Sequence, residues 1–389
     1  MAESPLRRAD FPITRRYVYL NHAGIAPLPR PVVDAMHQRA VAAAEHGGLG
    51  WDAHQEVIER ARGSAARLMG VPVADLAFVK NTTEGLGFVA NGLDWSPGDR
   101  VVVPDLDFPS TLFPFLALAD RGVRVDRVTP TGPAGALPVE AYAERIAAGP
   151  APKLVVASWV QFRQGWRTDL AALAALCRDT DALLCVDAIQ GLGVLPARLE
   201  AWGVDVAVAG GHKWLLGPEG AGLLYVRGSR LEQLRPLEPG WRSVADREDW
   251  DSLDLVYEPT ARRLEGGTPN TTGIAGLGTA LDLLLDAGVD EVWRHVDRLC
   301  QRACESLTDV GATVVSDRSP GGRSGIVAFT VAGMPASRLL DVLRRRGIAC
   351  AARGGVLRIS PHGYNTEQEV NVFVDTVRQA VLSDPRVRV

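Results

Sequence analysis

A chain of 389 residues exceeds what one ordinary small core organises, and about two to three folding units are expected. With 47% hydrophobic and 23% charged residues it is neither disordered nor fibrous. A formal net charge of -4 and a pI near 6.0 supply no general attraction to nucleic acid or anionic lipid, so a small-molecule substrate is expected.

In chain order, Met1 to Arg16 carries charges of both signs and lacks the apolar stretch of a signal peptide, and no later segment has the length of a membrane span. A cytoplasmic protein is expected. Residues 1–30 are read as an N-terminal segment lying near the active site. Residues 30–68 read as two helices broken by His46-Gly47-Gly48-Leu49-Gly50. From Leu76 onward, short apolar runs at Arg100–Pro104, Leu154–Ser158, Leu183–Asp187, 204–209 and Gly222–Val226 alternate with helical segments. Apolar strands of this kind imply a mainly parallel sheet flanked by helices, an α/β domain over residues 31–262 with functional groups at the carboxyl ends of its strands. Pro130 to Pro138 is a turn-rich surface connection. A helical stretch over 273–310, a strand over 325–331, a helix over 335–346, a strand over 356–360 and a helix over 366–381 predict a small α+β domain in residues 263–389. The cysteines at 177, 185, 300, 304 and 350 have neither zinc-site nor disulfide-framework spacing, and no metal site is expected.

The chemistry concentrates where the run ending at Ala209 meets Gly210-Gly211-His212-Lys213-Trp214. A lysine set among apolar residues loses hydration, which makes the neutral, nucleophilic amine accessible for an imine with an aldehyde cofactor. Twenty-six residues upstream, one αβ unit away, Asp187 closes a buried run and is followed by Gln190. A carboxylate there can keep a pyridine nitrogen protonated, and the amide would lie near a ring hydroxyl. Taken alone, Asp187 could be a helix N-cap, so the weight rests on its distance from Lys213. Asn81-Thr82-Thr83-Glu84-Gly85 starts a helix after a strand, where Thr82, Thr83 and backbone N–H groups suit a phosphate dianion; a capping box from Asn81 to Glu84 is compatible with this. Phe108, after another strand, is placed to stack on a ring.

In this order the segments resemble the class V aminotransferase group of fold-type I enzymes dependent on pyridoxal 5'-phosphate (PLP), which includes cysteine desulfurases, cystine C–S lyases, kynureninases and isopenicillin N epimerases. The resemblance runs from Tyr19-Leu-Asn21-His22-Ala-Gly24 to Leu357-Arg358-Ile-Ser360. It implies that Lys213 carries PLP as a Schiff base and that Asp187 and Gln190 bind the ring nitrogen and hydroxyl. It further implies that Arg358 grips the substrate carboxylate through a bidentate fork and that Asn21 and His22 fold over the site. Leu264 to Asn270 looks like the segment that reaches a neighbouring subunit's phosphate, so Thr268 would act in trans within a homodimer. Gly210 stands where many relatives place a phosphate-binding serine or threonine, which gives Thr268 and His212 more weight.

The resemblance leaves the reaction open. Cysteine desulfurases need a thiol on a mobile loop before the carboxylate arginine, and Cys350 lies in a short stretch that reads as strand. Glu238-Pro-Gly240-Trp241-Arg242-Ser243 looks like a segment of the cystine C–S lyases, and β-elimination on a cysteine-derived substrate is the favoured reading. In that reaction Lys213 removes the α-proton, sulfur leaves the β-carbon, and pyruvate and ammonia result. Transamination, epimerisation and a kynureninase-like hydrolysis are the alternatives, although kynureninases carry tyrosine where this chain has His212. A non-catalytic PLP-binding regulator is the remote one.

Overall fold

The computed structural model describes residues 4–132, 135–251 and 253–384. Residues 1–3 and 385–389 of the expected terminal units, and part of the Pro130 to Pro138 connection, lie outside the described residues. The chain opens with strand β1 (Val18–Tyr19) and helices α1 (Arg30–His46) and α2 (Trp51–Met69). There follow β2 (Leu76–Val79), α3 (Thr82–Gly92), β3 (Arg100–Pro104), a single turn α4 (Phe113–Leu116) and β4 (Arg124–Val128). Next come α5 (Val139–Ala147), β5 (Leu154–Ser158), α6 (Leu170–Arg178), β6 (Leu183–Asp187), a single turn α7 (Leu199–Trp202), β7 (Val206–Gly210) and β8 (Gly222–Val226). The last part holds α8 (Thr271–Ala287), α9 (Val289–Asp309), β9 (Ala312–Val314), β10 (Val327–Val331) and α10 (Ala336–Arg345). It closes with β11 (Ile348–Ala349), β12 (Ala351–Arg353), β13 (Val356–Ile359) and α11 (Glu367–Ser383).

Seven strands form one sheet in the order β2-β8-β7-β6-β5-β3-β4. Only β8 runs antiparallel to its neighbours β2 and β7; the other pairings are parallel. Every residue of β5, β6, β7 and β8 is buried, which is why these strands read as unbroken apolar runs. Strand β4, Arg-Val-Asp-Arg-Val, exposes Arg124 and Arg127 at the sheet edge and buries Asp126 against Arg100, and its polar residues hid it from the apolar-run reading. The parallel arrangement brings the carboxyl ends of β3, β6 and β7 to one side, delivering Phe108, Asp187 and Lys213 to a common crevice.

A second, antiparallel sheet has the order β12-β13-β10-β9. The N-terminal segment is stitched to this part of the chain: β1 pairs in parallel with β11, and Asn21 bridges to Ser360. The helical stretch expected over 273–310 is two helices bent by 79°, because Gly288 adopts φ +74° between them. Helix α8 packs along α1 and α2, whereas α9 lies against α11 and β9. Among the described residues no single helix is long and apolar enough to cross a membrane.

Candidate active site

At the carboxyl ends of β6 and β7 lies a cavity of about 560 Å³. Lys213 reaches it from the turn after β7, where Gly211 N–H donates to Ala221 O (2.8 Å) and Gly217 N–H donates to Gly211 O (2.9 Å). The lysine is 8% exposed. Burial lowers its pKa to about 8; Asp187 opposes that shift, and Arg358 and Arg353 reinforce it. Its Nζ lies 5.2 Å from the centroid of the Phe108 ring, which meets Phe162 edge-on at 5.4 Å.

Asp187 ends β6 with its Oδ1 accepting from Ile189 N–H at 3.0 Å. Burial lifts the carboxyl pKa to about 7; the Ile189 hydrogen bond and then Lys213 oppose that rise, and the neighbouring Asp107 adds to it. A cationic ring N–H placed against this carboxylate would recover the solvation that burial has removed. The Gln190 amide beside it is held on both sides, its Oε1 by Trp214 Nε1–H (2.8 Å) and its Nε2 by Ala23 O (3.1 Å).

On the opposite wall, α3 begins. Thr82 Oγ1 accepts from Gly210 N–H at 3.0 Å, which leaves its own proton for a further acceptor, and Thr83 Oγ1 lies 2.7 Å from Ser110 Oγ. Asn81 Oδ1 caps the helix by accepting from Glu84 N–H (2.9 Å). The Glu84 carboxylate turns away to the backbone N–H of Lys80 and to Lys80 Nζ, so the capping box is half formed. Two hydroxyls at a helix N-terminus suit a phosphate dianion.

Arg358 is 1% exposed, and no described carboxylate lies within ion-pairing distance of it. Its Nη1 donates to Phe162 O, while its Nε is buried with no hydrogen-bond partner. Burial, reinforced by Arg353, brings its pKa down to about 10. Asn21 Oδ1, on the same cavity wall, is also buried without a partner. Arg358, with no carboxylate partner, and Asn21 line one space with Lys213. Asp187 and the α3 hydroxyls complete a set that fits PLP and an amino-acid carboxylate together.

The structure brings Lys213, Asp187, Gln190, His212, Thr82, Thr83, Phe108, Asn21 and Arg358 to this one cavity. His212 is half-buried in the wall, its pKa lowered first by burial and then by Lys213. Two expected residues stand elsewhere. His22 is fully buried behind the wall, with Nδ1 donating to Ser360 O (2.8 Å) and Nε2 accepting from Tyr364 O–H (2.9 Å). Both ring nitrogens are used, so the side chain holds the N-terminal segment to the β13 loop instead of facing substrate. Thr268 is exposed and lines a separate cavity of about 270 Å³ with Lys80, Glu84 and Glu238. Arg353 lines the active-site cavity; Arg163 and Trp166 do not.

Sequence reading passed over Asp107, Ser110 and Phe162. Asp107 is buried next to Phe108, its carboxyl pushed up to about 6 by burial against the opposing pull of Ser158 O–H and Phe108 N–H. Asp107 and Ser110 follow the same strand end that located Phe108. No cysteine lines the cavity. All five are free and buried, and burial pushes the Cys350 thiol up to about 12.

The family model described as Aminotransferase class-V matches residues 18–373. The uncharacterized aminotransferase YcbU of Bacillus subtilis is 31% identical over 95% of this chain and 96% of its own length. The cysteine desulfurase of Salmonella agona is 32% identical over 94% of this chain and 95% of its own. The solved structure of a cystine C–S lyase with its reaction product cysteine persulfide shares the fold at a TM-score of 0.86. Identity there is 24%, over 95% of this chain and 99% of that one.

Proposed function

Because the chain belongs to the class V aminotransferase family of PLP-dependent enzymes, we propose that it is a C–S lyase that eliminates sulfur from a cysteine-derived amino acid without a protein thiol. One observation carries this reading: the place where a thiol-bearing loop would be needed is a tight hairpin. Arg353 pairs with Val356 across the two-residue turn Gly354-Gly355, both glycines with positive φ (+55° and +85°). Cys350, just before β12, is buried as a thiol.

When bound, PLP supplies an electron sink for the bond broken at the α-carbon. Lys213 would hold it through its amine; Asp187 would keep its ring nitrogen charged, and Gln190 would donate to its ring oxygen. Thr82 and Thr83 would take its phosphate, and Phe108 would cover its face. Arg358 orients the substrate by its α-carboxylate. Lys213 Nζ, an amine of depressed pKa, would receive the α-proton. The C–S bond would then break with its electron pair leaving on sulfur, which is protonated to a thiol, or to a hydropersulfide when the substrate is a disulfide. Water releases the remainder as pyruvate and ammonium, so no oxidant or reductant is consumed. The five free, buried cysteines suit a reducing cytoplasm. Thr268, exposed on one chain, is read as a phosphate ligand for the second chain of a homodimer.

The test is to add cystine, cysteine, kynurenine and alanine in turn to the loaded enzyme and follow absorbance, pyruvate and sulfide. Pyruvate from cystine with no keto-acid acceptor is expected. Transamination is the second reading, favoured by the likeness to the Bacillus aminotransferase. It would replace the first if a stable pyridoxamine spectrum formed and no pyruvate appeared.

A further inference from the structure

We infer that Trp214, the residue after Lys213, is a positioning residue that fixes which way round the Gln190 amide faces, so that Gln190 meets the cofactor's ring oxygen as a hydrogen-bond donor. The inference rests on the PLP reading of the cavity. Trp214 is fully buried, and its indole nitrogen has one N–H and no acceptor. It donates to Gln190 Oε1 at 2.8 Å. Across the amide, Gln190 Nε2 donates at 3.1 Å to Ala23 O, which can only accept. A donor-only group on one side and an acceptor-only group on the other agree on one orientation, and turning the amide over would oppose like groups at both contacts. Nε2 keeps a second N–H for the cavity that Gln190 lines.

The tryptophan is itself clamped. Its carbonyl accepts from His362 Nε2 at 3.0 Å, while His362 Nδ1 accepts from Gly363 N–H at 2.7 Å. Those two contacts require the neutral Nε2–H tautomer, and burial lowers the His362 pKa to about 4. A Cβ on Gly193, three residues past Gln190, would lie 2.3 Å from the same carbonyl oxygen, so the turn leaving Gln190 is pressed against Trp214 as well. The loop after Arg358, the segment bearing Lys213 and the turn bearing Gln190 therefore share one anchor.

A donor on the ring oxygen disperses its negative charge and weakens its hold on the proton of the Lys213 linkage, so losing the donor raises the pH at which that proton leaves. Asp187, Lys213, His212, Arg353 and Arg358 line the same cavity, with Asp107 behind it, and all of them remain in every variant below. The experiment measures the pH midpoint of the visible absorption band in the loaded wild type, Trp214→Phe, Gln190→Ala and the double variant. Each single variant is expected to raise the midpoint by about one unit or more, the size of one hydrogen bond to a charged group. The double variant should match Gln190→Ala alone, because Trp214 acts only through that amide. An unmoved midpoint in Trp214→Phe, or a shift that adds in full to that of Gln190→Ala, overturns the inference; full additivity is what a purely structural tryptophan gives.

If Trp214→Phe does not fold, the cofactor-free protein labelled with 15N-tryptophan decides. Gln190→Ala should speed solvent exchange of one indole N–H among the nine tryptophans, and no change at any of them overturns the inference. A wild type with no visible band would remove the PLP reading, whereas the indole measurement reads the Trp214–Gln190 contact without cofactor.

Discussion

The Thr82 hydroxyl accepts a hydrogen bond from the backbone N–H of Gly210 at 3.0 Å, so the start of α3 and the strand end leading to Lys213 are held as one piece. Thr82→Val keeps the shape and removes the acceptor, leaving a buried N–H unsatisfied at a cost of about 1–3 kcal/mol. The expected outcome is a lower melting temperature for the cofactor-free protein and roughly tenfold weaker PLP binding by fluorescence titration, since the same hydroxyl is a proposed phosphate donor. Unchanged PLP affinity would remove Thr82 from the phosphate site.

The proposed role of Lys213 ties cofactor uptake to the charge of its amine. With its pKa lowered to about 8 by burial, the reactive amine fraction grows as pH rises and saturates above that value. Reconstitution of the cofactor-free enzyme, followed by stopped-flow absorbance, should quicken through about pH 8, where it is half-maximal, and level off roughly one unit higher. Lys213→Ala should abolish the covalent band and reduce turnover by about 10³-fold or more.

Asp187 carries an opposite liability. Its folded-state pKa of about 7 exceeds the unfolded value near 3.9, so between those two values the folded protein binds more protons and loses stability as pH rises. Asp187→Asn keeps an acceptor for Ile189 N–H and has no charge to bury. In the cofactor-free state it should melt above wild type at pH 8 and converge with it near pH 4, as scanning calorimetry would show. In the loaded state the same variant should lose on the order of 10²-fold or more in turnover, having no carboxylate for the ring nitrogen.

Arg358 and Cys350 separate the two sulfur chemistries. Arg358→Lys cannot reproduce the planar fork, and kcat/KM should fall by about 10²-fold or more, with a raised KM. Cys350→Ser should leave pyruvate formation within about twofold of wild type, because a buried thiol held near 12 supplies no thiolate. A collapse of activity in Cys350→Ser with the fold intact would argue for a thiol relay and against the elimination proposed above.

The residues legible in the sequence were those whose role follows from a strand end. Asp187 closes one fully buried strand and Lys213 sits in the turn just after another, and a parallel sheet gathers such ends whatever the loops do. His22 was not legible, because its neighbour Asn21 does line the cavity and only the fold shows which of two adjacent side chains turns inward. Strand β4 escaped notice because an edge strand shows polar residues to water, and the bend at Gly288 because one glycine among helix formers barely alters the periodic pattern. Asp107 was hidden for a different reason. A carboxylate in a polar strand-end cluster reads as solvated until the fold buries it.

The Gly354-Gly355 turn also bears on how this scaffold could be altered. A sulfur relay has to travel between substrate and acceptor, and that needs slack chain. Two residues pinned between paired strands have none, since Arg353 and Val356 already face each other in register. Replacing either glycine with cysteine would put a side chain on a left-handed backbone at a fixed point. Conversion to a persulfide-carrying enzyme would therefore start with inserting several residues at about 3.3 Å of reach apiece, before any choice of side chain mattered.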